Sequence, residues 1–190
     1  MKSAILLHGT GGSDTDYFWF ADTKQRLKTN GYEVWWPLLP NTDRPELQES
    51  LAFVLENLPS LDEQSIIVGH SSACPLILSL LERIDSAVAK AVLVSGFYQK
   101  IDDEYSPLML QDGYDWQKIR ANVKEIYFLN SDNDPWGCND QQARIAAEEL
   151  GAPLIVMFGQ GHMGSASFNQ PFNEFPFVNQ LLGVGGKNDD

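Results

Sequence analysis

Cysteine is scarce in this chain of 190 residues: Cys74 and Cys138 are the only two. They cannot make a disulfide framework, and no C-x-x-C pair marks a zinc or redox site. Positive charge is also short, with 13 Lys and Arg against 26 Asp and Glu, a formal net charge of −13 and a pI near 4.5. A field of that sign repels phosphate backbones and anionic lipid, so neither nucleic acid nor a membrane face is an expected partner. No run approaches the ~18 apolar residues of a membrane span. The opening apolar run, Ala4-Ile5-Leu6-Leu7 before His8-Gly9, is too short for an export signal, and a reducing cytoplasm is the expected compartment. Histidines number 3, namely His8, His70 and His162, with no metal-ligand spacing, so neither metal nor organic cofactor is expected.

What the chain has is an ordinary globular composition, 43% hydrophobic and 21% charged. That is enough apolar surface to bury a core and excludes a disordered protein. The length fits a single domain over 1–183, with 184–190, rich in glycine and acid, as a flexible C-terminal tail. Short apolar runs at 4–7, 33–36, 65–68, 91–95, 125–129 and 154–158 read as strands buried on both faces of a sheet. Helical patterns lie between them at 22–29, 45–58, 73–81 and 141–150. The second places Leu47, Leu51, Val54, Leu55 and Leu58 on one face, with Thr42 or Asp43 as its cap. Asn30-Gly31 and Gly151 are stop signals. Residues 96–122 read as an irregular connection with one short helix near Trp116. Strand alternating with helix predicts a three-layer α/β fold with about six mostly parallel strands.

In such a sheet the reactive groups gather at the carboxyl ends of the strands. The first strand is followed by His8-Gly9-Thr10-Gly11-Gly12 and the third by Gly69-His70-Ser71-Ser72-Ala73. The fifth leads into Ser131-Asp132-Asn133-Asp134-Pro135, and the sixth into Gly159-Gln160-Gly161-His162. Serine, aspartate and histidine thus arrive in the chain order of an α/β-hydrolase triad. A nucleophile on a tight strand-to-helix turn needs small neighbours, and Gly69 and Ala73 flank Ser71 at minus two and plus two. Ala73 departs from G-x-S-x-G. Ser72 is the rival nucleophile, and a helix N-cap is the competing structural role for either serine.

His162 is the candidate base. His8 is expected to serve loop structure, and His70 to point away from the site. Asp134, just before Pro135, is preferred as the acid over Asp132, which is suited to capping the turn; Asp140 is suited to capping the helix that follows. An oxyanion hole needs two convergent amides: that of Ser72, and one from Thr10 or Gly11. A phosphate-binding loop is discounted, because His-Gly-Thr-Gly-Gly is neither G-x-G-x-x-G nor a Walker A sequence.

With Ile5-Leu6-Leu7-His8-Gly9, Val68-Gly69-His70-Ser71-Ser72, Ser131-Asp132-Asn133-Asp134-Pro135 and Gly161-His162 in hand, the chain resembles a known family nearly end to end. It is similar to the small serine hydrolases grouped around retinoblastoma-binding protein nine and the bacterial YdeN proteins. The resemblance implies a minimal α/β-hydrolase fold without a separate cap domain, and a triad of Ser71, Asp134 and His162. It implies cleavage of a small ester, thioester or amide through an acyl-enzyme. The Leu-x-Cys-x-Glu element of the mammalian relative surrounds neither Cys74 nor Cys138, so its pocket-protein binding is not carried over and no protein partner is assigned.

Without a cap, loops must build the acyl pocket. Trp19, Trp36 and Trp136 are the candidate substrate-binding aromatics, with packing of helix on sheet as the competing role. Phe168, Phe172, Phe175 and Phe177 are expected to anchor the last helix. The negative charge favours neutral or cationic substrates. Two other classes stand against the enzyme reading. One is a catalytically weak protein of this fold acting mainly as a protein-binding module. The other is a nucleotide-binding domain, which needs an acidic ribose ligand after the second strand, where Trp35-Trp36-Pro37 stands instead.

Overall fold

The computed structural model describes residues 2–185, which form six strands and six α-helices in near-strict alternation. In chain order these are β1 (Lys2–Leu7), α1 (Phe20–Thr29), β2 (Tyr32–Trp35), α2 (Leu47–Asn57), β3 (Ile66–His70) and α3 (Ala73–Leu81). There follow β4 (Val88–Val94), α4 (Trp116–Ala121), β5 (Val123–Asn130), α5 (Asp140–Leu150), β6 (Leu154–Val156) and α6 (Pro176–Leu181). The strands lie in the order β2-β1-β3-β4-β5-β6, and every pairing is parallel.

The continuous apolar runs follow from this arrangement. Alternate side chains of a strand face opposite ways, and here both faces are covered. Ile5 and Leu7 of β1 join a core with α2, α3, α4 and α5. Ala4 and Leu6 join a second core with Phe20 and Leu27 of α1 and Val178 of α6. From β1 the chain first runs outward to β2, then returns to lay β3 on the other side of β1. The loops after β1 and β3 therefore part and open a crevice at the carboxyl edge.

Several boundaries differ from the sequence reading for local reasons. Strand β4 starts at Val88, because half-buried Lys90 interrupts the apolar pattern yet pairs in register with Glu125. At the sheet edge β6 covers just three residues; Phe158 beyond it is 76% exposed, and Gly159 turns the chain at positive φ. Leu55 is 42% exposed rather than on the buried face of α2, and Glu46, not Thr42 or Asp43, occupies the N-cap position. Asn139 rather than Asp140 caps α5, its side chain accepting from the Gln141 amide at 3.1 Å. Gly151 closes that helix in the left-handed conformation, as expected. Within 96–122 the short helix near Trp116 is α4, preceded by an unforeseen 3₁₀ turn at Ser106–Met109. Val184, expected in the tail, is buried against α6 with its amide on the Asn179 carbonyl. Residues 186–190 of the tail lie outside the described residues.

Candidate active site

Ser71 sits between β3 and α3 with φ +57°, a left-handed conformation that serine rarely adopts. Its amide donates to the Val94 carbonyl at 2.9 Å, so the strained turn is held by the neighbouring strand's end. The turn is also tightly packed. A Cβ on Gly69 would lie 2.3 Å from Ile77 Cδ1. A Cβ on Gly9 would lie 2.7 Å from Ser71 Cβ and 2.9 Å from the His70 carbonyl oxygen. Gly9→Ala is therefore expected to shift the Ser71 turn bodily, with a stability loss of about 1–3 kcal/mol and a fall in activity. Thermal unfolding and esterase assays of the variant check this.

The His162 loop comes to the same cleft. His162 Nδ1 lies 2.7 Å from Asp134 Oδ2, and both side chains are almost completely buried. The other carboxylate oxygen of Asp134 accepts the Trp136 amide at 2.8 Å. Asp132 is placed differently: its Oδ1 accepts the Gly159 amide at 2.7 Å and fastens the loop after β6. Of the two aspartates, only Asp134 reaches the imidazole. Ser71 and His162 line one cleft of about 1090 Å³. Ser71 Oγ makes no hydrogen bond among the described residues, and such bonds commonly tighten only when substrate binds.

Of the two candidate amides in the first loop, that of Gly11 is taken: it donates to the Thr42 carbonyl at 2.7 Å. The expected role of Gly11 as an oxyanion donor is corrected accordingly. The amides of Thr10 and Ser72 have no partner among the described residues, and the Thr10 hydroxyl donates to Ser72 Oγ at 3.0 Å, joining the two loops.

Two of the three tryptophans are misassigned by sequence. Trp19 is fully buried, with Nε1 donating to the Met163 carbonyl at 3.0 Å, and Trp36 packs on Phe20 under α1. Neither lines the cleft. Trp136 does, at 47% exposure, and Phe168 packs edge-on against it instead of anchoring the last helix. Phe172, Phe175 and Phe177 do pack in the α1/α6 core. The remaining apolar wall comes from Phe18, Phe97, Ile101 and Met109, with the carboxylates of Asp16, Asp43 and Asp103 on the lining and no Lys or Arg. Residues 97–109 carried no pattern from which a cleft wall could be read.

Among the described residues, Asp134, Cys138 and His162 bring donor atoms within 4.8 Å of one another. Burial holds the Cys138 thiol well above its ordinary range, and the neighbouring Asp134 charge adds to this. Cys138 is therefore a protonated thiol walling the site, while the aspartate and imidazole are spent on each other.

A serine hydrolase family model matches residues 4–183, nearly the whole domain. The chain belongs to the serine hydrolase family. YdeN of Bacillus subtilis (strain 168) is 30% identical to it over 95% of this chain and 94% of that protein. Serine hydrolase RBBP9 of Rattus norvegicus is 26% identical over 88% and 90% of the two chains. The crystal structure of the B. subtilis ydeN gene product superposes with a TM-score of 0.85 at 27% identity, covering 96% of this chain and 97% of the other. The architecture is the α/β-hydrolase fold.

Two further histidines lie around the candidate site. His8, as expected, serves loop structure: Nε2 accepts the Leu39 amide at 3.0 Å and Nδ1 bonds the Gly9 carbonyl at 2.8 Å. His70 does not point away. Its ring lies 4.7 Å from that of His162, centroid to centroid, with no exposed surface. Burial pushes the His8 and His70 imidazoles below the ordinary value of 6.5, His70 well below it, where the neighbouring His162 adds to the effect. The unfolded chain thus takes up protons near pH 6.5 that the folded one refuses. The stabilisation is full above that pH and is lost as the pH falls toward the folded values. Melting temperatures measured from pH 8 to 5 are expected to fall below about pH 6.5, with a shallower slope in His70→Gln. An unchanged slope in that variant contradicts the assignment.

Proposed function

We propose that this serine hydrolase cleaves a small carboxylic ester, thioester or amide through an acyl-enzyme on Ser71, with His162 as base and Asp134 as its orienting acid. The observation that carries the reading is the 2.7 Å bond between buried His162 Nδ1 and Asp134 Oδ2, in the cleft that also holds the left-handed Ser71. Both relatives carry hydrolase names, which supports the class of reaction.

Asp134 accepts a hydrogen bond from Nδ1–H of His162 and so leaves Nε2 free to act as base. As Ser71 Oγ bonds to the substrate carbonyl carbon, its proton passes to Nε2. The carbonyl oxygen becomes an oxyanion, which the Thr10 and Ser72 amides receive at the positive end of α3. Collapse breaks the bond to the leaving group, which departs with the proton from His162. A water molecule then gives a proton to His162 and attacks the acyl carbon; the acid leaves and Ser71 regains its proton. The apolar wall of Phe97, Ile101, Met109 and Trp136 favours an uncharged acyl group, and the carboxylate lining disfavours anionic substrates. Rapid mixing with p-nitrophenyl acetate tests the reading. A burst of nitrophenolate with an acetyl group on the Ser71 peptide is expected; steady release with acetyl on another residue contradicts it.

A further inference from the structure

His162 lies in a loop of left-handed backbone, at positive φ in Gly161, Met163 and Gly164, which is unfavourable for Met163 next to it. A base carried on such a segment needs external fastening. Its carbonyl oxygen receives two donors, Ser95 Oγ at 2.8 Å and His70 Nε2 at 2.8 Å. The polarity of what lies behind His70 is then forced. A carbonyl can only accept, so Nε2 carries the ring proton and Nδ1 must accept. The group on Nδ1 is the Tyr17 hydroxyl at 2.8 Å, which therefore donates, leaving its oxygen to accept the Gly9 amide at 3.0 Å. Tyr17 is 6% exposed and His70 0%, so neither can trade these bonds for water.

We infer that Tyr17 and His70 are positioning residues, a one-directional hydrogen-bond relay that locks the His162 loop to the oxyanion loop. The chain runs from the Gly9 amide through the Tyr17 hydroxyl and both nitrogens of His70 to the His162 carbonyl. It passes beneath Ser71, whose own turn begins at His70. Base and oxyanion amides are thereby set relative to one nucleophile by a single bonded unit, although they come from opposite ends of the sequence. Burial keeps His70 neutral at working pH, as the relay requires, since a charged ring would leave Nδ1 no lone pair for Tyr17. This inference rests on His162 and Ser71 being the catalytic pair.

Steady-state kinetics on p-nitrophenyl acetate, with unfolding curves for each variant, test it. Tyr17→Phe keeps the ring and removes one hydroxyl; kcat is expected to fall about tenfold with KM unchanged. His70→Leu removes both bonds, and an approximately hundredfold fall in kcat is expected. His70→Gln, whose amide can donate to the His162 carbonyl, is expected to recover most of that loss. The double variant Tyr17→Phe/His70→Leu is expected to be no slower than His70→Leu alone, because one broken chain cannot be broken twice. Parental kcat in folded Tyr17→Phe and His70→Leu overturns the relay. So do additive losses, and so does a kcat that follows the folded fraction alone. If His70→Leu does not fold, Tyr17→Phe and His70→Gln decide by the same readings. Ser71→Ala separates the two levels: activity retained there removes the catalytic pair itself, whereas an inactive Ser71→Ala beside parental relay variants removes the relay only.

Discussion

Ser71→Ala is expected to lower esterase turnover by about 10³-fold or more, with the folded structure intact. The substitution deletes one oxygen and leaves the backbone that presents the oxyanion amides. The left-handed φ of +57° at this position is strained for serine and alanine alike, so stability changes little. Ser72→Ala is the control. It keeps the Ser72 amide and loses only the hydroxyl that accepts from Thr10 at 3.0 Å, so a loss of no more than about tenfold is expected. The reverse ranking, with Ser71→Ala active and Ser72→Ala dead, assigns the nucleophile to Ser72.

Asp134→Asn is the second large effect, expected to cost about 10²- to 10⁴-fold in kcat, against less than tenfold for Asp132→Asn. The reason lies in the count of acceptors. Asp134 uses one oxygen for the Trp136 amide at 2.8 Å and the other for His162 Nδ1 at 2.7 Å. Asparagine has a single acceptor oxygen. If that oxygen keeps Trp136, the amide nitrogen faces Nδ1 and drives the ring proton to Nε2, the wrong tautomer for a base. Asp132 chiefly serves the Gly159 amide at 2.7 Å, a bond that an asparagine oxygen can keep. Equal losses in the two variants contradict this division of roles.

The sheet and the three chemistry-bearing loops were legible because they rest on short-range rules. Alternate burial on two covered faces wrote β1 as Ala4-Ile5-Leu6-Leu7, and the tight turn demanded Gly69 two residues before Ser71. The choices that sequence left open depend on which backbone groups are already spent. Thr10 and Gly11 stand as equal candidates for the oxyanion donor, yet Thr42, more than thirty residues on in a loop without a motif, claims the Gly11 amide. Trp19 and Trp136 are both tryptophans after carboxyl-edge loops. One faces inward to bond Met163 and the other outward to the cleft, a difference set by long-range packing that no local pattern encodes. His70 was misplaced for the same reason. An elbow residue next to a nucleophile is expected to point away, but here Tyr17 and the His162 carbonyl supply partners that hold its ring under the site. Ser95, directly after β4, was not singled out; a serine at a strand's carboxyl end is the signal that could have found it.

The most direct test of the triad is labelling with a fluorophosphonate, which reacts with an activated serine, followed by mass mapping of the modified peptide. A single adduct on Ser71 is expected, absent from Ser71→Ala and strongly slowed in His162→Ala. No adduct on the folded protein contradicts it and leaves a binding module of this fold as the reading to pursue; an adduct on another residue contradicts it by placing the nucleophile there.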